Sequence, residues 1–153
     1  MPPGPMIRRR HITNVAPHQA GRRPVIPQGA AMLNQDTRQA RDYFAQKLAF
    51  LTGPFELAGQ IRRHEPITIV DVRLPSDFQA GHIPGAINLP QGKWHTLTGL
   101  AKDRTAVIYC YSQTCKLAAA AAVEFASADI PVVEMEGGFE AWLKNELPVE
   151  KAA

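Results

Sequence analysis

The apolar positions of this chain follow a helical spacing in one segment and form short continuous runs farther on. From residue 36 they recur every three or four positions, which predicts an amphipathic helix capped by Asp36 or Thr37. Its apolar positions are Ala40, Tyr43, Phe44, Leu48 and Leu51. Gly53 and Pro54 end this helix, and a second, shorter helix is predicted over residues 55–63.

Four apolar runs after these helices predict β-strands. They cover residues 67–72, 86–89, 105–111 and 131–135. Because the runs are apolar on both faces, they suit a parallel sheet that is covered by helices on both sides. A helix predicted over residues 116–126 lies between the last two strands and completes a βαβ unit. Gly137 and Gly138 turn the chain into a final helix that contains Phe139 and Trp142.

Length and composition are those of one ordinary domain. The 153 residues are 45% apolar and 20% charged, which is typical of a soluble globular protein. No apolar run approaches the roughly 18 to 20 residues that a membrane-spanning helix needs. We predict an α/β protein in three parts: a leader over residues 1–31, a helical extension over residues 32–54 and a folded domain over residues 55–153.

The positive charge of the chain is concentrated in the leader. Residues 1–31 contain five arginines, six prolines, three glycines and no acidic residue. The remainder has 12 basic and 14 acidic residues, a balance of −2 that argues against a nucleic-acid-binding core. The leader is expected to be disordered, because it cannot bury enough apolar surface. Two alternatives stay open: translation starts at Met32, or the leader is a transit peptide.

Cys110 is the candidate nucleophile. It lies at the carboxyl end of a predicted strand and just before a helix, the edge at which open α/β sheets bind ligands. A curled loop over residues 111–114 and the positive end of the helix would favour the thiolate. The pKa of Cys110 is therefore expected below the free value of about 8.5. The alternative is that Cys110 is a buried small hydrophobic residue.

The chain has only two cysteines, Cys110 and Cys115. A secreted scaffold stapled by disulfides would carry more of them, spread along the chain. We therefore expect reactive thiols in a reducing compartment and a cytoplasmic location.

A second group of polar residues follows the first predicted strand, in the sequence IVDVRLPSDFQAGHIPGAINLP. Asp71 closes that strand, so it should lie on the same edge of the sheet as Cys110. His82 is interpreted as a structural histidine that bonds backbone carbonyls in a turn. Arg73 and Asp77 are expected to form an ordinary surface ion pair.

Three motifs together resemble the rhodanese family. The first is DVR followed by GHIPGAINLP, the second is TAVIYC, and the third is EGGFEAW. They occur in the family's order within residues 55–148. The resemblance implies a three-layer α/β fold with a central parallel sheet. It also implies transfer of sulfane sulfur through a cysteine persulfide, chemistry that needs no metal or organic cofactor.

The resemblance also implies the roles of individual residues. Cys110 would carry the persulfide, and Asp71 and Arg73 would support its loop from the neighbouring strand end. The active-site loop would consist of Tyr111, Ser112, Gln113, Thr114, Cys115 and Lys116.

This loop departs from the family's usual pattern at two positions. Gln113 replaces a glycine, and Cys115 stands where many members have an arginine. The result is a C-x4-C loop that some rhodanese-like proteins share. Many members offer loop cations to an anionic donor such as thiosulfate, whereas Lys116 is the only cation in this loop. The resemblance therefore supports sulfur chemistry better than it supports thiosulfate as the donor.

Three interpretations of Cys115 stay open. It is an inert thiol, it resolves an oxidised or persulfidated Cys110 as a disulfide, or it accepts the sulfur and passes it on. A zinc site has no support, since no C-x2-C or H-x3-H spacing occurs. A phosphatase of the related kind would need an arginine at position 116 to bind phosphate through two parallel hydrogen bonds. The ammonium of Lys116 cannot form this pair of bonds.

Two functional hypotheses follow. The first is a sulfurtransferase that passes sulfur from Cys110 to a thiol or to cyanide. Its partners would be a sulfur donor and an acceptor thiol, either a small molecule or a protein, and neither nucleic acid nor membrane. The second is a catalytically weak binding or redox-sensing module that uses Cys110 and Cys115. The protein is expected to be a monomer or a weak dimer.

Overall fold

The computed structural model describes residues 36–152. The predictions for the leader and for a start at Met32 lie outside these residues. The helices of the described part are α1 (Thr37–Ala49), α2 (Pro54–Arg62), α3 (Pro75–Ala80), α4 (Leu117–Ser127) and α5 (Gly138–Lys144), with a 3-10 turn at Trp94–Thr96. The strands are β1 (Leu51–Thr52), β2 (Ile67–Asp71), β3 (Ile87–Asn88), β4 (Thr105–Tyr109) and β5 (Val132–Met135).

The five strands form one parallel sheet in the order β1-β5-β4-β2-β3. The predicted parallel sheet with flanking helices is therefore confirmed. In the central pair of strands, Asp71 of β2 lies opposite Tyr109 of β4. Since parallel strands end at the same edge, this register brings Asp71 beside the segment that leads into Cys110.

The edge strand β1 differs from the prediction. Leu51 was expected on the apolar face of the first helix, but α1 ends at Ala49 and Leu51 lies opposite Glu134 in the sheet. The Glu134 N–H donates to the Phe50 carbonyl at 2.8 Å. Hydrogen bonds to β5 thus place Leu51 in a strand, although its spacing in the sequence continues the helical pattern.

The sheet separates two buried clusters because side chains alternate along each strand. Under α4 lie Val70, Ile108, Cys110, Ala121 and Phe125. Under α2 and α5 lie Leu57, Ile69, Val107, Phe139 and Trp142. Cys110 therefore continues the α4 side of β4, whereas Tyr109 belongs to the other side.

The first helix is capped as predicted but packs differently from the others. The Asp36 carboxylate accepts the Arg38 N–H at 3.0 Å and the Gln39 N–H at 3.3 Å. No residue of α1 is buried, and Tyr43 and Leu48 are 61% and 75% exposed. Among residues 36–152, no helix is long and apolar enough to span a bilayer.

Replacement of Phe125 tests the core under α4. Phe125 has no exposed surface, so Phe125→Ala should lower the free energy of unfolding by about 3 to 5 kcal/mol. Val123 on the same helix is 69% exposed, and Val123→Ala should change that free energy by less than about 0.5 kcal/mol. Urea denaturation measures both variants, and equal losses would contradict the assigned packing.

Candidate active site

A buried ion pair lies beside the carboxyl end of β4. The Arg73 guanidinium donates to Asp71 from Nη2 at 2.6 Å and from Nε at 3.0 and 3.1 Å. Asp71 is fully buried and Arg73 is 4% exposed. Arg73 Nη2 also donates to the Gly81 carbonyl at 2.7 Å, which ties the strand end to the following turn. The predicted surface pair of Arg73 with Asp77 is therefore wrong.

Tyr109 completes this network from the neighbouring strand. Its hydroxyl donates to Asp71 Oδ2 at 2.6 Å and accepts the Ile83 N–H at 3.2 Å. Burial, together with the adjacent Asp71 carboxylate, raises the pKa of Tyr109 well above its ordinary value. Burial opposes the charge of Arg73, but its hydrogen bonds and attraction to Asp71 outweigh that effect and raise the pKa of the guanidinium. The Tyr109 hydroxyl and the Arg73 guanidinium thus both keep their protons across the neutral range.

Tyr111 anchors the start of the loop after Cys110. Its hydroxyl donates to Asp77 Oδ2 at 2.6 Å and accepts the Leu74 N–H at 3.1 Å. The Arg73 Cζ lies 5.8 Å from the centroid of the Tyr111 ring. Burial and the bond to Asp77 raise the pKa of Tyr111. Asp77 therefore helps to hold the loop by binding the Tyr111 hydroxyl, a role that its sequence position did not indicate.

The first turn of α5 holds the same loop from the other side. The Phe139 N–H donates to the Cys110 carbonyl at 2.8 Å, and the Glu140 N–H donates to the Tyr111 carbonyl at 2.9 Å. A Cβ atom on Gly138 would lie 2.6 Å from the Ser112 nitrogen and 2.8 Å from the Cys110 oxygen. Gly138 also has φ +61°, so both its conformation and its surroundings require glycine.

The two cysteines close the loop. Cys110 and Cys115 form a disulfide with their Cα atoms 6.4 Å apart. The Cys115 N–H donates to the Ser112 carbonyl at 3.1 Å, and Lys116 is the residue that precedes the first turn of α4. The structure thus brings together the ends of the predicted loop, with Cys110 2% exposed. No hydrogen bond to either sulfur forms within residues 36–152, so the expected N–H cradle stays a prediction for the reduced form.

The rest of the loop faces solvent beside acidic residues. Gln113 Nε2 lies 3.4 Å from Glu136 Oε1, the residue that follows β5. Ser112 and Thr114 face each other, with their hydroxyl oxygens 3.3 Å apart. Lys116, the one cation of the loop, is exposed at its far end.

His82 has the structural role that its sequence context predicted. It is buried, its Nδ1 lies 2.8 Å from the Phe78 carbonyl oxygen, and its ring stacks on Phe78 at 3.8 Å. Its backbone pairs with Glu150, which joins the segment after α5 to this turn. His82 therefore belongs to the scaffold rather than to the cysteine loop.

Sequence reasoning missed Tyr109, Asp77 and Gly138 as parts of this site. For Tyr109 a signal was present, because a tyrosine in a buried strand needs a partner for its hydroxyl and Asp71 ends a strand at the same edge. For Gly138 the signal was a glycine pair at that edge, where a close backbone approach is common. For Asp77 no sequence signal distinguished Tyr111 from Arg73 as its partner.

The chain matches a known family over most of the described residues. A family model described as "Rhodanese-like domain" matches residues 54–145. The chain belongs to the rhodanese-like domain family. The crystal structure of the BH2092 protein from Bacillus halodurans is similar to this chain with a TM-score of 0.71 and 33% identity. The match covers 76% of this chain and 87% of that protein, in agreement with the three-layer α/β architecture.

Two relatives come from Mycobacterium tuberculosis. The HTH-type transcriptional regulator Rv0324 is 38% identical over 96 residues, 61% of this chain and 42% of the regulator. The probable adenylyltransferase/sulfurtransferase MoeZ is 36% identical over 98 residues, 62% of this chain and 25% of MoeZ. The chain thus spans less than half of the length of either relative.

The close approach at Gly138 can be tested with a matched glycine. Gly85 also has a positive φ, +77°, but a Cβ atom there would meet nothing within 4 Å. Gly85→Ala should therefore cost only the backbone strain, about 1 to 2 kcal/mol of unfolding free energy. Gly138→Ala adds an overlap with the loop backbone and should cost at least about 3 kcal/mol. Equal losses in urea denaturation would show that the loop yields to the new methyl group.

Proposed function

We propose that this protein is a sulfurtransferase, a C-x4-C variant of its family, that carries sulfane sulfur as a persulfide on Cys110. The observation that supports this most is the fixed position of Cys110 at the carboxyl end of β4. Asp71 and Arg73 brace the strand end, and Tyr111 and Gly138 hold the two sides of the loop. MoeZ, whose name describes a sulfurtransferase, is similar over the same part of the chain.

The reaction is two successive displacements at sulfur. In the first, the Cys110 thiolate attacks the sulfane sulfur of a donor, forms a new S–S bond and expels the donor's remainder as a thiolate. In the second, an acceptor thiolate or cyanide attacks the outer sulfur, and the electron pair of the broken S–S bond returns to Cys110. Electrons and atoms balance without an oxidant or a cofactor.

The charges around the loop favour a particular class of donor. Arg73 is engaged by Asp71 beneath the loop, so its charge is not available to a donor anion. Lys116 remains as the loop's own cation, whereas Asp77 and Glu136 lie beside Tyr111 and Gln113. A dianion such as thiosulfate gains little here, and a persulfide or polysulfide is the better donor.

The carrier role of Cys110 is tested by mass. Reduced protein incubated with a polysulfide should gain one sulfur atom, and cyanide should remove it as thiocyanate. Cys110→Ser should gain no sulfur, whereas Cys115→Ser should still gain it, because the displacement needs only Cys110. Persulfidation of Cys110→Ser to the wild-type extent would refute this assignment.

The disulfide supports a second function, redox sensing by the same pair. The Cys115 thiolate can attack the inner sulfur of a Cys110 persulfide, which forms the observed disulfide and releases hydrosulfide. The product has no Cys110 thiolate, so it cannot accept sulfur until a thiol reductant opens it. Attack on the outer sulfur instead would move the persulfide to Cys115, the relay alternative.

Oxidant sensitivity distinguishes these uses of Cys115. Wild-type protein treated with hydrogen peroxide should form the disulfide, lose thiocyanate production and recover it after thiol treatment. Cys115→Ser has no resolving thiol, so the same treatment should drive Cys110 to sulfinic acid, which the thiol does not reverse. If wild-type Cys110 over-oxidises as fast as it does in Cys115→Ser, Cys115 does not protect the carrier.

A further inference from the structure

Within residues 36–152, an open apolar groove lies between α1, α4 and the strands β1 and β5, outside the cysteine loop. It encloses about 530 Å³. Its lining includes Tyr43, Phe50, Ala122, Val123, Val132 and Glu134. The groove-facing positions of α4 are small or branched apolar residues, so the helix presents a shallow apolar wall.

Three large apolar side chains of the groove are exposed. Tyr43, Phe50 and Val123 are 61%, 59% and 69% exposed, and all three line the same groove. Scattered apolar residues are normal on protein surfaces, but a contiguous patch with a polar rim marks an interaction site.

Glu134 distinguishes this groove from a plain hydrophobic patch. Side-chain alternation along β5 places it on the same face as Val132, within the lining of the groove. No Lys, Arg or His of residues 36–152 forms a salt bridge with it, although Lys47 also lines the groove. Burial, together with the neighbouring Glu136, raises the pKa of Glu134, as expected for a carboxylate that lacks a cation. A half-buried carboxylate among apolar side chains favours an incoming cation.

We propose that this groove docks an amphipathic segment of a partner protein, whose apolar side chains pack on α4 and α1 and whose Lys or Arg pairs with Glu134. A second copy of the chain fits less well. A two-fold contact would place the same patch against itself and bring two Glu134 carboxylates together. An anionic lipid surface would likewise meet Glu134 and Glu136 with charge of the same sign.

The groove is connected to the cysteine loop by side chains. Lys47 lines the groove, and its Nζ lies 4.0 Å from Glu136 Oε1. Glu136 in turn contacts Gln113 of the loop at 3.4 Å. The groove therefore adjoins Gln113 of the loop through Lys47 and Glu136. The docking inference itself does not depend on the sulfur chemistry.

A double-mutant cycle between the full-length protein and a synthetic peptide tests the proposal. The probe is a short fluorescent helical peptide that has leucines at helical spacing around one lysine. The control peptide has norleucine in place of that lysine. Wild-type protein should bind the lysine peptide about fivefold to tenfold more tightly in fluorescence anisotropy. Glu134→Gln should abolish that preference, because it removes the carboxylate and keeps the shape.

Variants at exposed positions provide the controls. Val123→Asp should weaken binding of both peptides, whereas Leu143→Asp, at a 50% exposed position on α5, should not. Both variants should still produce thiocyanate from cyanide at the wild-type rate. If the wild type itself produces no thiocyanate but binds the peptide, the result counts against the proposed function and not against docking.

Several outcomes would overturn the docking proposal. One is the absence of peptide binding, and another is a lysine preference that persists in Glu134→Gln. Dimerisation in sedimentation that Val123→Asp abolishes would assign the groove to a second copy. Sedimentation with phosphatidylglycerol vesicles that Val123→Asp abolishes would assign it to a lipid surface.

Discussion

The buried ion pair of Asp71 and Arg73 is the constraint on which the site depends. A buried carboxylate is tolerated only when its lone pairs are used, and here the Arg73 guanidinium and the Tyr109 hydroxyl use them. Through these bonds β2, β4 and the turn at Gly81 become one rigid unit at the carboxyl edge of the sheet. This unit fixes the position of Cys110, which directly follows β4.

The loop beyond Cys110 is held by elements that are distant in the sequence. Tyr111 reaches α3 through Asp77, and the first turn of α5 binds the carbonyls of Cys110 and Tyr111. The residues nearest Cys110 are thereby fixed, whereas Gln113 and Thr114 are exposed. The sulfur transfer proposed above needs this division, since the attacking atom has to be placed accurately and donor and acceptor have to reach it.

The sequence predicted those features that depend on local patterns. Apolar runs indicated the parallel sheet, and the polar residue ending each run placed Asp71 and Cys110 at one edge. Features that depend on distant pairing were not predictable in this way. Leu51 fits a helical spacing, and only its pairing with β5 makes it part of a strand. Asp71 and Asp77 are both close to Arg73 in sequence, and only the structure shows that Arg73 pairs with the buried Asp71.

The pairing of β1 with β5 also bears on how the chain is made. During synthesis α1 and Leu51 leave the ribosome early, but their partner strand follows only after β2, β3, β4 and α4. Phe139 and Glu140, whose N–H groups hold the cysteine loop, come later still. Cys110 is therefore synthesised before the α5 contacts that restrain its loop, and its thiol lacks those contacts in the nascent chain until α5 has emerged.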